Sequence, residues 1–373
     1  MGIYLHVPFC RSKCAYCGFY SVASSALKEE YLGALFREIS SRQGYLPIQE
    51  VGTLYIGGGT PSLLSPGELA EIVKRLEQSY RFDPLAEKTL EANPEDLDEA
   101  NLSAWLKLGF NRLSIGVQSF SDRLLKTINR RHAASTAVNG VRLAADLGFK
   151  NISVDMIIGL PGQTEQEVMA DLEMAVSLPV NHLSVYMLSV DPGTLFEVKL
   201  KQGKLALPEE EQLSSCFLRT SRFLREAGFE HYEISNFARD GHYSRHNTAY
   251  WQQKPYIGFG AAAHSYDGAT RQWNVSHLKR YINALNNNTD FFEKEILTPS
   301  DLYNEYIMTG LRTRWGVDPS WLQAYYPTCY EQMKPVWERY LANGCLFYSD
   351  GRICMDASGW LLSDMIFSDL FLG

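Results

Sequence analysis

Apolar residues along the first two thirds of the chain fall into two alternating patterns. Short runs with apolar residues at every second position or nearly every position are followed by longer runs with apolar positions three and four apart. Ile3-Tyr-Leu-His-Val7 alternates and predicts a first strand, and residues 27–43 then place Leu32, Leu35, Phe36 and Ile39 on one helical face. Further strands are predicted at Val51 to Ile56, Thr89 to a stop at Pro94, Arg112 to Val117, Asn151 to Ile158 and His182 to Leu188. Helical stretches between them cover 97–108, 121–128 and 134–147. Ser65-Pro-Gly-Glu68 and Thr164-Glu-Gln-Glu167 read as capping boxes that each open another helix. A helix over about 209–227 and a strand at Glu230 to Ile234 complete the series.

Strands alternating with helices imply a parallel sheet with helical crossovers. Six to seven such units point to an α/β fold of the open or incomplete barrel type. Periodicity alone does not separate that from a doubly wound sheet. From about residue 238 the alternation stops: a glycine- and aromatic-rich region, 238–275, precedes helical stretches near 276–287 and 299–313. The tail reads as helix–turn–helix-like segments and a short hairpin running from Gly344 round to Trp360-Leu-Leu. No repeat or low-complexity linker interrupts the chain, so its parts are expected to pack together.

A chain of 373 residues exceeds what one hydrophobic core usually supports, so a large domain and a smaller one are expected. The net charge of −8 argues against a nucleic-acid partner, since phosphate binding needs a basic face. The N-terminus does not read as a secretory signal, and no apolar run approaches the ~18 residues of a transmembrane segment. Seven cysteines, an odd number with Cys216, Cys329, Cys345 and Cys354 scattered, do not make a disulfide framework. Those four are expected to be small core residues in a reducing, cytoplasmic compartment.

The other three are not scattered. Cys10, Cys14 and Cys17 stand at C-x3-C-x2-C spacing, suited to three irons of a [4Fe–4S] cluster with the fourth iron left open. Zinc normally closes a set of four ligands, and no second Cys or His pair follows at finger spacing. Polar residues also gather where the predicted strands end, the edge at which α/β barrels carry function. Gly57-Gly-Gly-Thr60 ends the second strand and offers bare backbone to a ligand, Glu91 and Asn93 end the third, and Gln118 lies just past the fourth. Arg130 follows in the next loop and helix, and Asp155 sits in the apolar run Val-Asp-Met-Ile-Ile, where a lone carboxylate needs partners.

The cysteine spacing with Tyr16 before the last Cys resembles the radical S-adenosylmethionine (SAM) enzymes, in which SAM chelates the open iron. Ile3-Tyr-Leu-His-Val-Pro-Phe-Cys10 is similar to the subfamily of oxygen-independent coproporphyrinogen III oxidases and their haem-binding relatives. The resemblance implies a partial (β/α)6 radical SAM barrel over 1–237, a connecting region over 238–297, and a small, mostly helical, winged-helix-like domain over 298–373. It also implies SAM contacts at Tyr4, Gly58, Gly59, Thr60, Glu91, Gln118, Arg130 and Asp155. Glu91, Gly58 and Thr60 match positions around the methionine end, and Gln118 and Asp155 those on the ribose and adenine side. Ile128-Asn-Arg130-Arg-His132 departs from the family's Leu-Gly-Arg-x-His but keeps the arginine.

Two departures narrow the branch. The coproporphyrinogen dehydrogenases carry a further cysteine where Phe19 stands, and a long extension where this chain has nine residues before Cys10. Both features resemble the HemW-type haem chaperones, in which coproporphyrinogen decarboxylation is not the expected activity. His246-Asn-Thr-Ala-Tyr250-Trp251 matches the H-N-x-x-Y-W motif associated with haem in that branch, so His246 is the expected haem contact, with Tyr250 as an alternative ligand. His264 is read as structural or lining the cofactor cavity. The expected partners are haem and haem-acceptor proteins, membrane-associated acceptors among them.

Overall fold

A computed structural model describes residues 1–47 and 50–372, so Gly373 of the expected C-terminal domain lies outside the described residues. One large sheet is built from β1 (Gly2–Val7), β2 (Glu50–Gly58), β3 (Arg81–Ala92), β4 (Arg112–Gln118), β5 (Asn151–Ile158) and β6 (His182–Met187). It is completed by β7 (Glu230–Glu233), β8 (Asn236–Ala238), β9 (Tyr256–Phe259), β10 (His264–Tyr266), β11 (Thr270–Asn274) and β12 (Phe292–Ile296). The strand order is β12-β11-β10-β9-β1-β2-β3-β4-β5-β6-β8-β7, so the sheet has two ends and remains open. The run from β9 through β1 to β6 is parallel, which gives the partial barrel its wall.

Each wall strand is two-faced. Ile3, Leu5 and Val7 of β1, Leu54 and Ile56 of β2, and Ile152 and Val154 of β5 are fully buried against the outer helices. The residues between them, such as Tyr4, Tyr55, Ser114 and Asp155, belong to the opposite, inner face. Both expected capping boxes are present. Ser65 accepts from the Glu68 N–H and Thr164 from the Glu167 N–H, each answered by the glutamate side chain. The structure adds a third with Asp301 in the glutamate position, on Thr298 before the helix Pro299–Leu311.

Three sequence expectations change. β7 does not continue the parallel series: it turns tightly at Ile234 and Ser235 into β8, which pairs antiparallel with β6. The strand alternation does not end at 238, because β9 pairs parallel with β1 and β10 to β12 extend the sheet beyond it. The small hairpin spans Phe347–Ser349 and Arg352–Cys354 and does not reach Trp360. Trp360 lies in the short helix Ala357–Leu361 and donates its Nε1–H to the Leu311 carbonyl (2.9 Å), locking the tail to the helix before it. The tail also joins the sheet, since Arg314 N–H donates to the Tyr232 carbonyl (3.0 Å) and Arg312 pairs with Glu233. Cys216 and Cys354 are buried, and Cys329 and Cys345 pack at the margin of the core. Among the described residues no helix is long and apolar enough to cross a membrane.

One buried ion pair ties the early part of the chain to the late strands. Glu38, with no exposed surface, accepts from the Gly260 N–H (2.8 Å), Asn274 Nδ2 (2.7 Å) and the Tyr281 hydroxyl (2.6 Å). Arg42 pairs with it at 3.3 Å and donates to the Gly258 carbonyl, Ser265 Oγ and Gln272 Oε1. Removing one member leaves a buried charge with its partners misaligned. Glu38→Ala should therefore cost about 3–5 kcal/mol in urea unfolding followed by circular dichroism; a loss below about 1 kcal/mol would show that the pair is dispensable.

Candidate functional site

The C-terminal ends of the wall strands surround one cavity of about 360 Å3. At one end lie Cys10, Cys14 and Cys17, on the loop that leaves β1. That loop is fixed along its length. The Cys10 N–H donates to the Val22 carbonyl (3.0 Å), the Ala15 N–H to Ile128 (3.1 Å), and the Phe196 N–H to Ala15 (3.0 Å). Asn129 Nδ2 holds the Lys13 carbonyl (2.8 Å), and Ala15 is buried in a small satellite core with Leu124, Ile128 and Phe196. Among the described residues no three His, Cys, Asp or Glu side chains converge on a single-ion site. Three free thiols at one end of a cavity are the donor set that a cluster taking each thiolate on a different iron requires.

The glycines after β2 are required by close packing. A Cβ on Gly59 would lie 2.6 Å from the Phe9 carbonyl oxygen and 2.9 Å from that of Val7. Gly58 has φ +111°, and a Cβ there would strike the His6 ring at 2.6 Å. The same backbone supports the cysteine loop, because the Gly59 N–H donates to Val7 (2.8 Å) and the Thr60 N–H to Phe9 (2.7 Å). Thr60 Oγ1 then stands 3.6 Å from Cys10 Sγ, where its hydroxyl donates to the sulfur.

Two carboxylates face the cavity from neighbouring strands. Glu91 Oε1 accepts the Tyr55 hydroxyl (2.7 Å) and Oε2 accepts the Gly58 N–H (3.0 Å). Burial, with Asp155 nearby as a lesser cause, pushes the Glu91 carboxyl from its ordinary 4.5 to about 7. Asp155 is also raised by burial, and the Ser114 hydroxyl lies within 3.2 Å of both its oxygens. Gln118 ends β4 with φ +71°, at a register shift against β5, so a non-glycine residue holds a left-handed backbone at the cavity. Arg130 donates to Asn93 Oδ1 (2.8 Å) and to the Gly116 carbonyl, and its guanidinium approaches Cys14 Sγ to 3.6 Å.

Of the residues singled out in the sequence, the three cysteines, Gly58, Gly59, Thr60, Glu91, Gln118, Arg130 and Asp155 all line this cavity. Tyr4 stands behind it, with its hydroxyl 3.0 Å from His6 Nδ1. Since His6 Nε2 faces the Tyr20 carbonyl (2.9 Å), the ring carries its proton there and Nδ1 accepts from Tyr4. His246 lies outside the cavity lining and is 1% exposed. Its ring nitrogens meet Thr53 Oγ1 and the Tyr250 hydroxyl, both at 2.8 Å, and burial lowers it to about 3, so it is neutral. Trp251 packs under the Arg312 guanidinium at 4.7 Å. His264 is exposed on β10 and takes no part in the lining.

Sequence reasoning missed Tyr55, Ser114, Tyr186 and Asp191, which line the cavity. Tyr55 and Ser114 each precede a recognised strand end by a few residues on the same strand face, and that spacing was the available signal. Asp191 packs against Gly18, where a side chain would collide with its carboxylate.

The chain resembles known proteins throughout. Residues 4–175 match the Radical SAM superfamily and residues 297–362 the HemN C-terminal domain. It is 35% identical to the heme chaperone HemW of Bacillus subtilis over 99% of this chain and 98% of that protein. To HemW of Mycobacterium tuberculosis it is 34% identical, over 98% and 93%. The structure of coproporphyrinogen III oxidase (HemN) from Escherichia coli, described as a radical SAM enzyme, superposes with TM-score 0.83 at 24% identity, covering 99% and 89%. That likeness establishes the fold.

The raised Glu91 carboxyl has a measurable consequence. Between about pH 4.5 and 7 the folded chain holds a proton that the unfolded chain has released, so stability falls as pH rises through that window. Glu91→Gln removes this dependence. In ligand-free protein, the Tm of the variant minus that of wild type should grow from about pH 5 to pH 8, and a constant difference would contradict the assignment.

Proposed function

The chain belongs to the HemW family of the radical SAM superfamily. From that premise we propose that it is a haem chaperone, which carries a [4Fe–4S] cluster, binds SAM in the barrel cavity and delivers haem to acceptor proteins. The observation that carries the reading is one cavity with three free cysteines at one end and the two carboxyls of Glu91 and Asp155 on its wall.

The residues present fit both cofactors. Cys10, Cys14 and Cys17 would hold three irons, and the hydroxyl of Thr60 and the guanidinium of Arg130 already point donors at two of the sulfurs. Such donors stabilise the thiolate form and tune the centre they surround. The bare backbone at Gly58 and Gly59 packs against the His6 ring and the Val7 and Phe9 carbonyls, and this keeps the end of β2 against the cysteine loop at the cavity. Glu91 would receive the α-ammonium of SAM, and that cation would draw the carboxyl back to its charged form. Asp155, steadied by Ser114, and Gln118 would face a carboxyl and an amide group toward the nucleoside. When bound, the reduced cluster and SAM together supply one-electron chemistry at the C–S bond of SAM. The chain's own part is to orient the two and to exclude water.

Haem is the cargo, and the names of the relatives support it. As the chain is folded, both ring nitrogens of His246 are bonded, so haem iron would reach it only after the Tyr250 bond opens. The absent cysteine at Phe19 supports the chaperone over the dehydrogenase.

Anaerobic reconstitution followed by haem titration tests the proposal. Wild type should take up about four irons and four sulfides per chain and then bind haem saturably by visible absorption. A Cys10→Ser, Cys14→Ser, Cys17→Ser variant should hold no cluster. Absence of specific haem binding, with conversion of coproporphyrinogen III under reducing conditions with SAM, would replace the chaperone by the dehydrogenase.

A further inference from the structure

Behind the wall that carries Glu91, a packed path of side chains leads to the histidine motif. Thr53 and Tyr55 stand two residues apart on the inner face of β2, opposite Gly2 and Tyr4 of β1. The Tyr55 ring lies on the His246 ring with centroids 5.2 Å apart and planes 26° apart. Tyr4 closes the group, 6.2 Å from Tyr55 and 6.4 Å from His246. Room for the imidazole comes from Gly2, where a Cβ would lie 3.1 Å from Thr53 Oγ1 and 3.3 Å from His246 Cε1. The imidazole itself is clamped: Thr53 and Tyr250 hold its two nitrogens, and its backbone N–H donates to Glu87 Oε1 at 3.1 Å.

We propose that Tyr55 is a positioning residue for Glu91, and that His246 acts on the cavity from behind by holding Tyr55 in place. The inference rests on the reading that Glu91 receives the ammonium of SAM. The Tyr55 hydroxyl takes one lone pair of Oε1 and the Gly58 N–H one of Oε2. With each oxygen held from a different side, the plane of the carboxylate is set, and its remaining lone pairs are the ones a ligand cation meets. The phenol can keep that direction only while its ring is packed, and the ring it packs on is His246. The histidine of the H-N-x-x-Y-W motif thereby affects ligand binding without touching the ligand.

The hydrogen bond from Tyr55 also favours the charged form of Glu91, acting against burial and the Asp155 carboxylate. The other titratable or charged groups around Glu91 are Tyr4, Arg112 and Tyr186, none of which the test alters. Losing the Tyr55 bond should therefore push the carboxyl higher and move the acid limit of cation binding upward.

The test uses the full chain with its cluster reconstituted anaerobically, with SAM as the probe and calorimetry across about pH 6 to 9 as the readout. Tyr55→Phe keeps the ring and its stacking and removes only the hydroxyl. It should weaken SAM binding about tenfold and shift the acid limit to higher pH, with iron content unchanged. His246→Ala should act in the same direction, and the double variant should lose less than the sum of the two, because both act through one carboxylate. Wild-type affinity and an unmoved pH profile in Tyr55→Phe would overturn the inference, as would full additivity of the two changes. If His246→Ala does not fold, His246→Gln takes its place, since it keeps a hydrogen-bonding side chain for Thr53 and Tyr250 but gives Tyr55 no ring to pack on. Wild-type SAM affinity in that variant would overturn the role of His246. Wild type that binds no SAM would overturn the reading of the cavity itself, a different result from a wild type that binds and a variant that binds equally well.

Discussion

The site depends on backbone that has no side chains. At 57 to 59 the chain leaves β2 so close to β1 and its loop that a Cβ at any of the three positions would overlap a neighbour. At Gly57 the neighbours are Tyr55 and Glu91, at Gly58 the His6 ring, and at Gly59 the carbonyls of Val7 and Phe9. One short segment thus touches the acid on the cavity wall and the strand that leads into the cysteine loop. Its N–H groups do the rest, one to Glu91, one to Val7 and one, from Thr60, to Phe9. Glycine here loses more backbone entropy on folding than any other residue, and that loss accompanies the gathering of three cysteines and a carboxylate at one cavity.

The inner face of the wall explains why the cavity is polar in an otherwise apolar core. Parallel strands buried on both faces read as continuous apolar runs, whereas these alternate. Outside, Leu54, Ile56, Ile152 and Val154 pack on helices; inside, Thr53, Tyr55, Ser153 and Asp155 do not. Polar groups without water need partners, and the inner face supplies them between strands: Tyr55 to Glu91, Ser114 to Asp155, Ser153 to His182. Burial raises both acids even so. A wall on which burial disfavours the charged form of two carboxyls favours a ligand that brings its own positive charge.

Much of this was legible in the sequence, and the limits are instructive. The cysteine spacing, the glycine run and the polar strand ends needed only local pattern, and all of them meet at one cavity. The alternation in Ile3-Tyr-Leu-His-Val7 marks a two-faced strand, but only the sheet order shows that its polar face turns to the inside of an open barrel. β9 escaped because a four-residue strand between Gln252-Gln-Lys-Pro255 and Gly260 has no periodicity to show. Depth also escaped. A histidine beside Tyr250 and Trp251 suggests a porphyrin contact when read as a string, but burial of His246 is set by Gly2, Thr53 and Glu87, more than 150 residues earlier in the chain. Tyr55 and Ser114 are ordinary strand residues until the hydrogen bonds between strands show which acid each one meets.

The position of β1 has a consequence for how the protein is made. It is made long before one of its two neighbours, β9, which begins at Tyr256. The partners of Glu38 and Arg42 come later still, reaching Tyr281. For most of its synthesis, then, the strand that feeds the cysteine loop has one edge unpaired, and contacts so distant in sequence form slowly. The cavity that gathers Cys10, Cys14 and Cys17 is thus complete only once the chain as far as Tyr281 has been made and folded back onto its beginning.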